Sequence, residues 1–487
     1  MPDCLQTASS PEEVGIPSSA ILRFLDRIEK ERIAMHGFVV IRHGKVAVEG
    51  YWPPFSAQRF HRMYSVSKSM VSLAVGLMID EGRLSLGDRV AAFFPDKLPD
   101  KVHPYIEQAT VRDLLMMATP HSENAYTRYD RDWVKTFFHK EPSHPPGTIF
   151  AYDTAATVVL TAIVERLSGM PFLEYMRPRL LDPIGFSPGA WCIKTPEGGS
   201  WGGSGVLCTL RDMASIALVC LNGGSWYGKQ LISQEYVCAA RSRQIDNSQH
   251  HGEQGYGYQI WRTRHNGFAF LGMGSQLAIC LPDEDFVFAC ISDTQGQGAL
   301  GVGIYDALWQ ELYPALSGAC LQEQPQDAAR LRDRLASLAF APPVGEQASP
   351  VAGMCSGKWY AMNPNPMGIT QTRFTFEGSR GVWEYENAQG RKRLAFGIGT
   401  YAAGKFPQEG YFGEQIGVAS PELYDCLASG AWAQENKLNL IVYITDIYLG
   451  TLRVTVTFKG DEIALWMTKV AEWFLDEYEG FAGGYIR

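Results

Sequence analysis

Apolar and polar positions divide the chain into two stretches. Up to about residue 320 the pattern predicts helices mixed with strands; beyond about 350 it predicts short strands alone. Helical spacing runs over 11–32, about 65–81, from Thr110, over Thr154–Ser168 and from Thr209 to about Asn222. In the second of these, Met70, Leu73, Ala74, Leu77 and Met78 fall on one face. Strand-like runs are His36–Ile41 and Lys45–Trp52, joined by Arg42-His43-Gly44, then Tyr256–Trp261, Gly267–Leu271, Ser275–Leu281 and Phe286–Ser292; a helix is predicted over Leu300–Tyr313. Strands first, helices in the middle, then strands and a helix predict an α+β fold: a sheet with a helical insertion.

The pattern then changes. Gln322–Leu338 is rich in charge and glutamine, and Ala341-Pro342-Pro343 and Ser349-Pro350 mark a break. Beyond it come strands Lys358–Met362, Thr372–Phe376, Val382–Tyr385, Lys392–Phe396, Leu438–Thr445, Thr451–Phe458 and Glu462–Thr468. Many short strands with turn signals predict an antiparallel barrel-like or sandwich domain. The expected division is 1–320 as the first domain, 321–350 as linker and 351–487 as a C-terminal β-domain.

Composition narrows the function. A chain of 487 residues exceeds one ordinary core. The formal charge of −9 argues against nucleic acid as a partner, which needs a basic face. Met1-Pro2-Asp3-Cys4-Leu5-Gln6-Thr7 lacks a basic segment followed by an apolar one, and no apolar run reaches the ~18 residues of a membrane span. The ten cysteines include no C-x-x-C and no nearby zinc-spaced histidine pair. Buried free thiols and a cytoplasmic location are expected.

The candidate chemistry begins at Ser65-Val66-Ser67-Lys68, the one S-x-x-K of the chain. On a helix, residues three apart share a face, so the hydroxyl and the amine fall within reach of each other. Serine needs a base to become a nucleophile. Burial, a neighbouring cation or the positive end of a helix would favour the neutral lysine that could serve. The plainer reading is a surface helix start, with Ser65 as N-cap and Lys68 solvated. Tyr152, after the Pro146-Gly147 turn, is a candidate proton relay if a neighbouring cation lowers its pKa; otherwise it is an ordinary half-buried tyrosine. Gly272-Met273-Gly274-Ser275-Gln276 precedes an apolar strand, and its glycines admit close approach by a substrate or another backbone.

In this order, these elements resemble the serine β-lactamase and penicillin-binding superfamily. The resemblance covers roughly 11–315 and also takes in Leu114-Leu115-Met116-Met117, Glu165-Arg166-Leu167-Ser168-Gly169, Leu181-Asp182-Pro183-Ile184-Gly185 and Gly202-Gly203-Ser204-Gly205. It is nearest the class C branch, with its family VIII esterases, D-aminopeptidases and 6-aminohexanoate-dimer hydrolases. It implies a β-lactamase/transpeptidase-like antiparallel sheet flanked by helices, with a helical subdomain. It also implies acyl transfer with Ser65 as nucleophile, Lys68 and Tyr152 moving the proton, and the backbone N–H groups of Ser65 and Met273 as oxyanion hole. No metal or cofactor is implied.

The departures bear on substrate. Thr154 stands where β-lactamases carry asparagine. Where they carry Lys-Thr-Gly, this chain aligns Phe270-Leu271-Gly272, or alternatively His265-Asn266-Gly267; Gly272–Gln276 also resembles the Gly-x-Gly-Gly-Gln of 6-aminohexanoate-hydrolase-like members, with Ser275 for glycine. Tyr126, Trp133 and Trp201 either line a cleft or pack as supports. The expectation is a hydrolase of a small-molecule ester or amide, with Tyr126, Thr154, Trp201 and Gly272 at the substrate and homo-oligomers allowed. The alternatives are a β-lactamase or D-amino-acid peptidase and, in another class, a non-hydrolytic penicillin-binding-like sensor or a scaffold.

Overall fold

The computed structural model describes residues 4–248, 254–297 and 301–486. The N-terminal Met1-Pro2-Asp3 and the expected helix start at Leu300 lie outside them. The chain divides into two units: Met1–Ser292 with Leu300–Leu338 and Glu414–Val418, and Asp293–Ala299 with Ala339–Gly413 and Ala419–Arg487.

The first unit is built on a seven-stranded sheet. Its strands are β1 (Gln6–Thr7), β2 (Met35–Arg42), β3 (Lys45–Tyr51), β4 (Trp261–Arg262), β5 (Phe268–Gly272), β6 (Gln276–Leu281) and β7 (Phe286–Ser292), in the order β1-β3-β2-β7-β6-β5-β4. The β1–β3 pair is parallel and the others are antiparallel. The β2–β3 hairpin turns at His43-Gly44, both at positive φ (50° and 71°), which suits the right-handed twist of the strands. Helices cover both faces. Helix α1 (Ser18–Lys30) sets Phe24 against Phe38 and Phe288 on one face, with ring centroids 5.5 Å apart in each pair. Helix Leu210–Leu221, capped by Thr209, lies on the other. The single helix expected over 11–32 is broken: a 3₁₀ turn, Pro11–Val14, ends at Gly15 with φ 75°, and α1 restarts after Pro17.

Helix α2 (Val66–Asp80) is buried all round from Val66 to Met78, although the spacing of its apolar residues suggested a single buried face. Its serines are satisfied internally. Ser67 Oγ accepts from Val206 N–H at 3.1 Å, Ser69 Oγ donates to Gln259 O at 2.8 Å, and Ser72 Oγ lies 3.1 Å from Tyr236 Oη. Helix α3 (Thr154–Ser168) ends where the glycine signal placed it, at left-handed Gly169.

Several expected elements differ. The strand expected over Tyr256–Trp261 shrinks to β4, and the helix expected to Tyr313 is Val302–Ala307 followed by a π-turn and a 3₁₀ turn. Pro325–Ala336 is a helix, salt-bridged to α1 through Arg334 and Glu29. Its apolar face is only Ala328 and Leu331, too narrow to stand out among the charges.

In the second unit, nine strands from Trp359–Met362 to Gly480–Ile486 form a sheet that closes where Gly390–Ile398 pairs in parallel with Asp425–Gln434; Ala402–Lys405 adds a tenth strand at that seam. Inward side chains such as Phe374, Trp383, Phe396, Leu440, Val454 and Leu465 fill it. All ten cysteines are free, and six are buried.

Candidate active site

Two short pairings place Ser65. His61–Arg62 pairs with Val206–Cys208, Met63 N–H donates to Val206 O at 2.8 Å, and Val206 N–H returns to Ser67. This zips the start of α2 to Gly202-Gly203-Ser204-Gly205. Tyr64, just before the serine, has φ 47°, an uncommon conformation for a residue of its size. It is held from below by the fully buried Arg62, whose guanidinium lies 4.1 Å from the Tyr64 ring and 4.7 Å from that of Trp201. Arg62 donates to Ser204 O and Ser204 Oγ at 3.0 Å each.

Ser65 takes the N-cap position of α2 with helical dihedrals, and its side chain makes no capping bond. Lys68 is 1% exposed. Both facts overturn the reading of a capped surface helix. Lys68 Nζ lies 2.9 Å from Ser65 Oγ and donates to Gly203 O at 2.6 Å. The glycine is required here: a Cβ on Gly203 would stand 2.5 Å from Thr154 Cγ2. Tyr152 is hydrogen-bonded to Ser65, and its ring centroid lies 5.0 Å from Lys68 Nζ. Burial pushes the Tyr152 phenol up to about 12, and the Ser65 bond offsets only part of that. The condition set for a relay, a pKa lowered by a neighbouring cation, is not what these surroundings produce.

The Gly272–Gln276 turn closes the site on the sheet side. A Cβ on Gly272 would meet Met63 O at 2.5 Å, which sets this end of β5 beside the approach to Ser65. His265 and Asn266 occupy a left-handed turn before β5, with His265 stacked on Tyr313 at 3.9 Å. The extended strand β5, Phe268–Gly272, lies between that turn and Gly272, and its length alone is roughly 13 Å. Of the two alignments of the third motif, the one on Gly272 is at Ser65 and the one on His265 is not. Gln276 Nε2 fixes the turn by donating to Met273 O (2.8 Å) and Ser292 O (2.7 Å). Among the described residues, neither the Ser65 nor the Met273 amide N–H donates to a backbone carbonyl.

Tyr126 and Trp201 are 4% and 1% exposed. Trp201 Nε1 donates to Tyr126 Oη at 2.9 Å, Tyr126 stacks on Trp133 at 3.9 Å, and Trp133 meets Trp201 edge-on at 5.3 Å. The three aromatics form one packed cluster behind Gly202-Gly203. Thr154 is half-buried at the start of α3, facing Gly203.

Three residues were missed by the sequence reading. Asp153 is fully buried and caps α3, accepting from Ala155 N–H (2.9 Å) and Thr119 Oγ1 (3.2 Å); burial raises its carboxyl to about 6. Gln259, at φ 59° and 1% exposed, ties α2 and α3 together. Its Oε1 accepts from Thr157 at 2.6 Å, its carbonyl accepts from Ser69, and its Nε2 donates to Leu114 O and Leu115 O (2.9 and 3.1 Å). Trp261 flanks Tyr152, with ring centroids 5.5 Å apart. Asp153, next to Tyr152 and before an apolar-periodic run, carried an N-cap signal that could have been read. Gln259 carried none, since its role depends on three segments distant in sequence. Among the described residues, no three His, Cys, Asp or Glu side chains gather as a metal site, and no single helix is long and apolar enough to cross a membrane.

A family model described as Beta-lactamase matches residues 25–310. The chain belongs to the Beta-lactamase family. It is 28% identical over 248 residues to a 6-aminohexanoate-dimer hydrolase of Paenarthrobacter ureafaciens, a match covering 47% of this chain and 63% of that protein. A penicillin-binding protein homologue from Caulobacter crescentus shares the fold at TM-score 0.52 and 16% identity, over 62% of this chain and 99% of that one. SurE, solved with D-Leu, gives TM-score 0.51 at 17% identity over 86% and 96% of the two chains. The family match places the chain in a hydrolase superfamily.

Proposed function

We propose that the chain is a serine hydrolase that cleaves small neutral esters or amides through an acyl-enzyme on Ser65. The observation that carries this reading is the 2.9 Å contact between Ser65 Oγ and the buried Lys68 Nζ, in a hydroxyl free of any capping duty. In the proposed cycle the neutral Lys68 amine takes the Ser65 proton as Oγ attacks the substrate carbonyl. Tyr152, protonated and bonded to Ser65, passes a proton to the departing oxygen or nitrogen. The developing oxyanion is received by the N–H groups of Ser65 and Met273, donors typically worth ~2.7–4 kcal/mol each. Water then attacks the acyl group by the reverse path. Tyr126 and Trp201 pack beside the Gly203 loop, and Thr154, against Gly203, and Trp261, against Tyr152, border the acyl group.

The walls argue for neutral substrates. The β5 segment at Ser65 is Phe270-Leu271-Gly272, which offers no cation for a β-lactam carboxylate. Burying a carboxylate without a partner costs several kcal/mol. The name of the Paenarthrobacter relative favours the amide end of the range. The test is kcat/KM for a short-chain p-nitrophenyl ester and an uncharged linear N-alkyl amide against nitrocefin. Faster turnover of nitrocefin than of both would overturn the substrate reading.

A further inference from the structure

A cavity of about 250 Å³ lies in the first unit against the C-terminal half of α3, at the opposite end of that helix from Tyr152. Its floor is apolar: Phe94, Val134, Val158 and Ala162. Its charged lining is Lys97, Arg166, Glu165 and Glu197. The two cations already have partners outside it. Lys97 Nζ pairs with Asp132 at 2.5 Å, and Arg166 makes a two-pronged pair with Asp96 (2.6 and 3.0 Å). The two carboxylates have no such partner. Glu165 accepts from Phe172 N–H (3.1 Å) and Ser200 N–H (3.3 Å), and Glu197 from Trp133 and Val134 N–H (3.1 and 3.3 Å). Among the described residues, neither forms an ion pair. The lining thus keeps two carboxyl groups without a cation partner, Glu197 and Glu165, the latter raised from its ordinary range by burial.

A second observation is independent of charge. Thr195 also lines the cavity, is 1% exposed, and its Oγ1 has no hydrogen-bond partner. A buried hydroxyl left unsatisfied costs roughly 1–3 kcal/mol, so such groups usually have a partner in the working protein.

We propose that this cavity binds a small primary alkylammonium, with its N–H groups on Thr195 Oγ1 and the Glu165 and Glu197 carboxylates and its chain on Phe94, Val134 and Val158. An ammonium has three donors and no acceptor, matching one hydroxyl and two carboxylates. The volume holds roughly eight non-hydrogen atoms at ~30 Å³ per water-sized group, the size of a butyl- to hexylammonium ion. An anionic ligand would meet the two unpaired carboxylates. A neutral alcohol would leave both without a charged partner.

The experiment is calorimetry or ligand-observed NMR with n-hexylammonium, hexanoate and hexanol on the full chain. Hexylammonium is expected to bind, hexanol at least ten-fold more weakly, and hexanoate not at all. Glu197→Gln, at an exposed position, and Thr195→Val are each expected to weaken hexylammonium binding about ten-fold, as loss of a charge-assisted bond should. Ser65→Ala should leave it unchanged, since that residue belongs to a different site. Circular dichroism of each variant checks folding, and Glu197→Gln alone suffices if Thr195→Val does not fold. Equal affinity for hexanol, no binding of hexylammonium, or affinity indifferent to Glu197→Gln would overturn the proposal.

Discussion

Gly203→Ala tests how Lys68 is held. The new methyl would sit 2.5 Å from Thr154 Cγ2 and 3.2 Å from Thr154 O, while ordinary contact begins near 3.4 Å. The Gly203 loop must therefore retreat by about 1 Å, and φ adds no strain because Gly203 is not left-handed. Its carbonyl accepts the Lys68 bond at 2.6 Å, and a retreat of about 1 Å takes that contact to about 3.6 Å, beyond hydrogen bonding. Bonds to charged groups contribute about 1.5–3 kcal/mol, or roughly 10–150-fold in rate if the loss falls on the transition state. Misplacing a catalytic group by about 1 Å gives a similar figure, near 10²-fold. Overpacking should also cost about 1–3 kcal/mol of stability. The assay is kcat/KM on a p-nitrophenyl ester with a melting curve for each protein. Thr154→Ser removes the opposing methyl and keeps the hydroxyl. The single Thr154→Ser should be close to wild type, and the double variant should regain most of the activity lost by Gly203→Ala. If Gly203→Ala retains full activity, or if Thr154→Ser rescues nothing, the loop does not position Lys68.

Lys68→Ala and Tyr152→Phe should each lower kcat by about 10²–10⁴-fold, and the double variant should be little worse than the poorer single; multiplicative losses in kcat would show separate proton paths. Because Tyr152 is pushed up to about 12, no basic limb from this phenol should appear in a pH–rate profile between 6 and 9. Asp153 is raised from 3.8 to about 6 in the folded protein, so its contribution to stability is full below about 4 and is lost as pH rises through 6. Asp153→Asn, which cannot ionise, should therefore melt progressively higher relative to wild type between pH 4 and 7, and a constant difference would contradict the assignment. Gln259→Leu leaves the buried Thr157 hydroxyl without its acceptor, while Leu114 O and Leu115 O keep the Met117 and Gln259 backbone N–H groups, and should cost about 1–3 kcal/mol in chemical denaturation.

What the sequence made legible was local. The His43-Gly44 turn, the Thr209 cap, the Gly169 stop and the Phe286–Ser292 strand each follow from residues adjacent in the chain. Ser65 and Lys68 could be read together because a single helical turn joins them. The strands Asp425–Gln434 and Gly480–Ile486 were not legible. Their Ala, Ser and Gly residues lack the β-branched alternation that marks a strand, and they are small because neighbours crowd them. A Cβ on Gly430 would meet Leu440 at 2.6 Å and Phe396 at 3.2 Å. The aromatics around the site were visible as residues but not in their orientation. Whether Trp201 lines a cleft or packs on Tyr126 depends on contacts between segments 75 residues apart. Gln259 lies at the same limit, because its partners are scattered over 190 residues of sequence.

The central claim is that Ser65 carries the acyl group, and peptide-level mass spectrometry after fluorophosphonate labelling tests it most directly. Tryptic cleavage after Arg62 and Lys68 isolates Met63–Lys68, and its fragment ions separate Ser65 from Ser67. The account predicts one adduct, on Ser65, absent from Ser65→Ala, with esterase turnover lost in parallel. An adduct on another residue, or full turnover by Ser65→Ala, would contradict it.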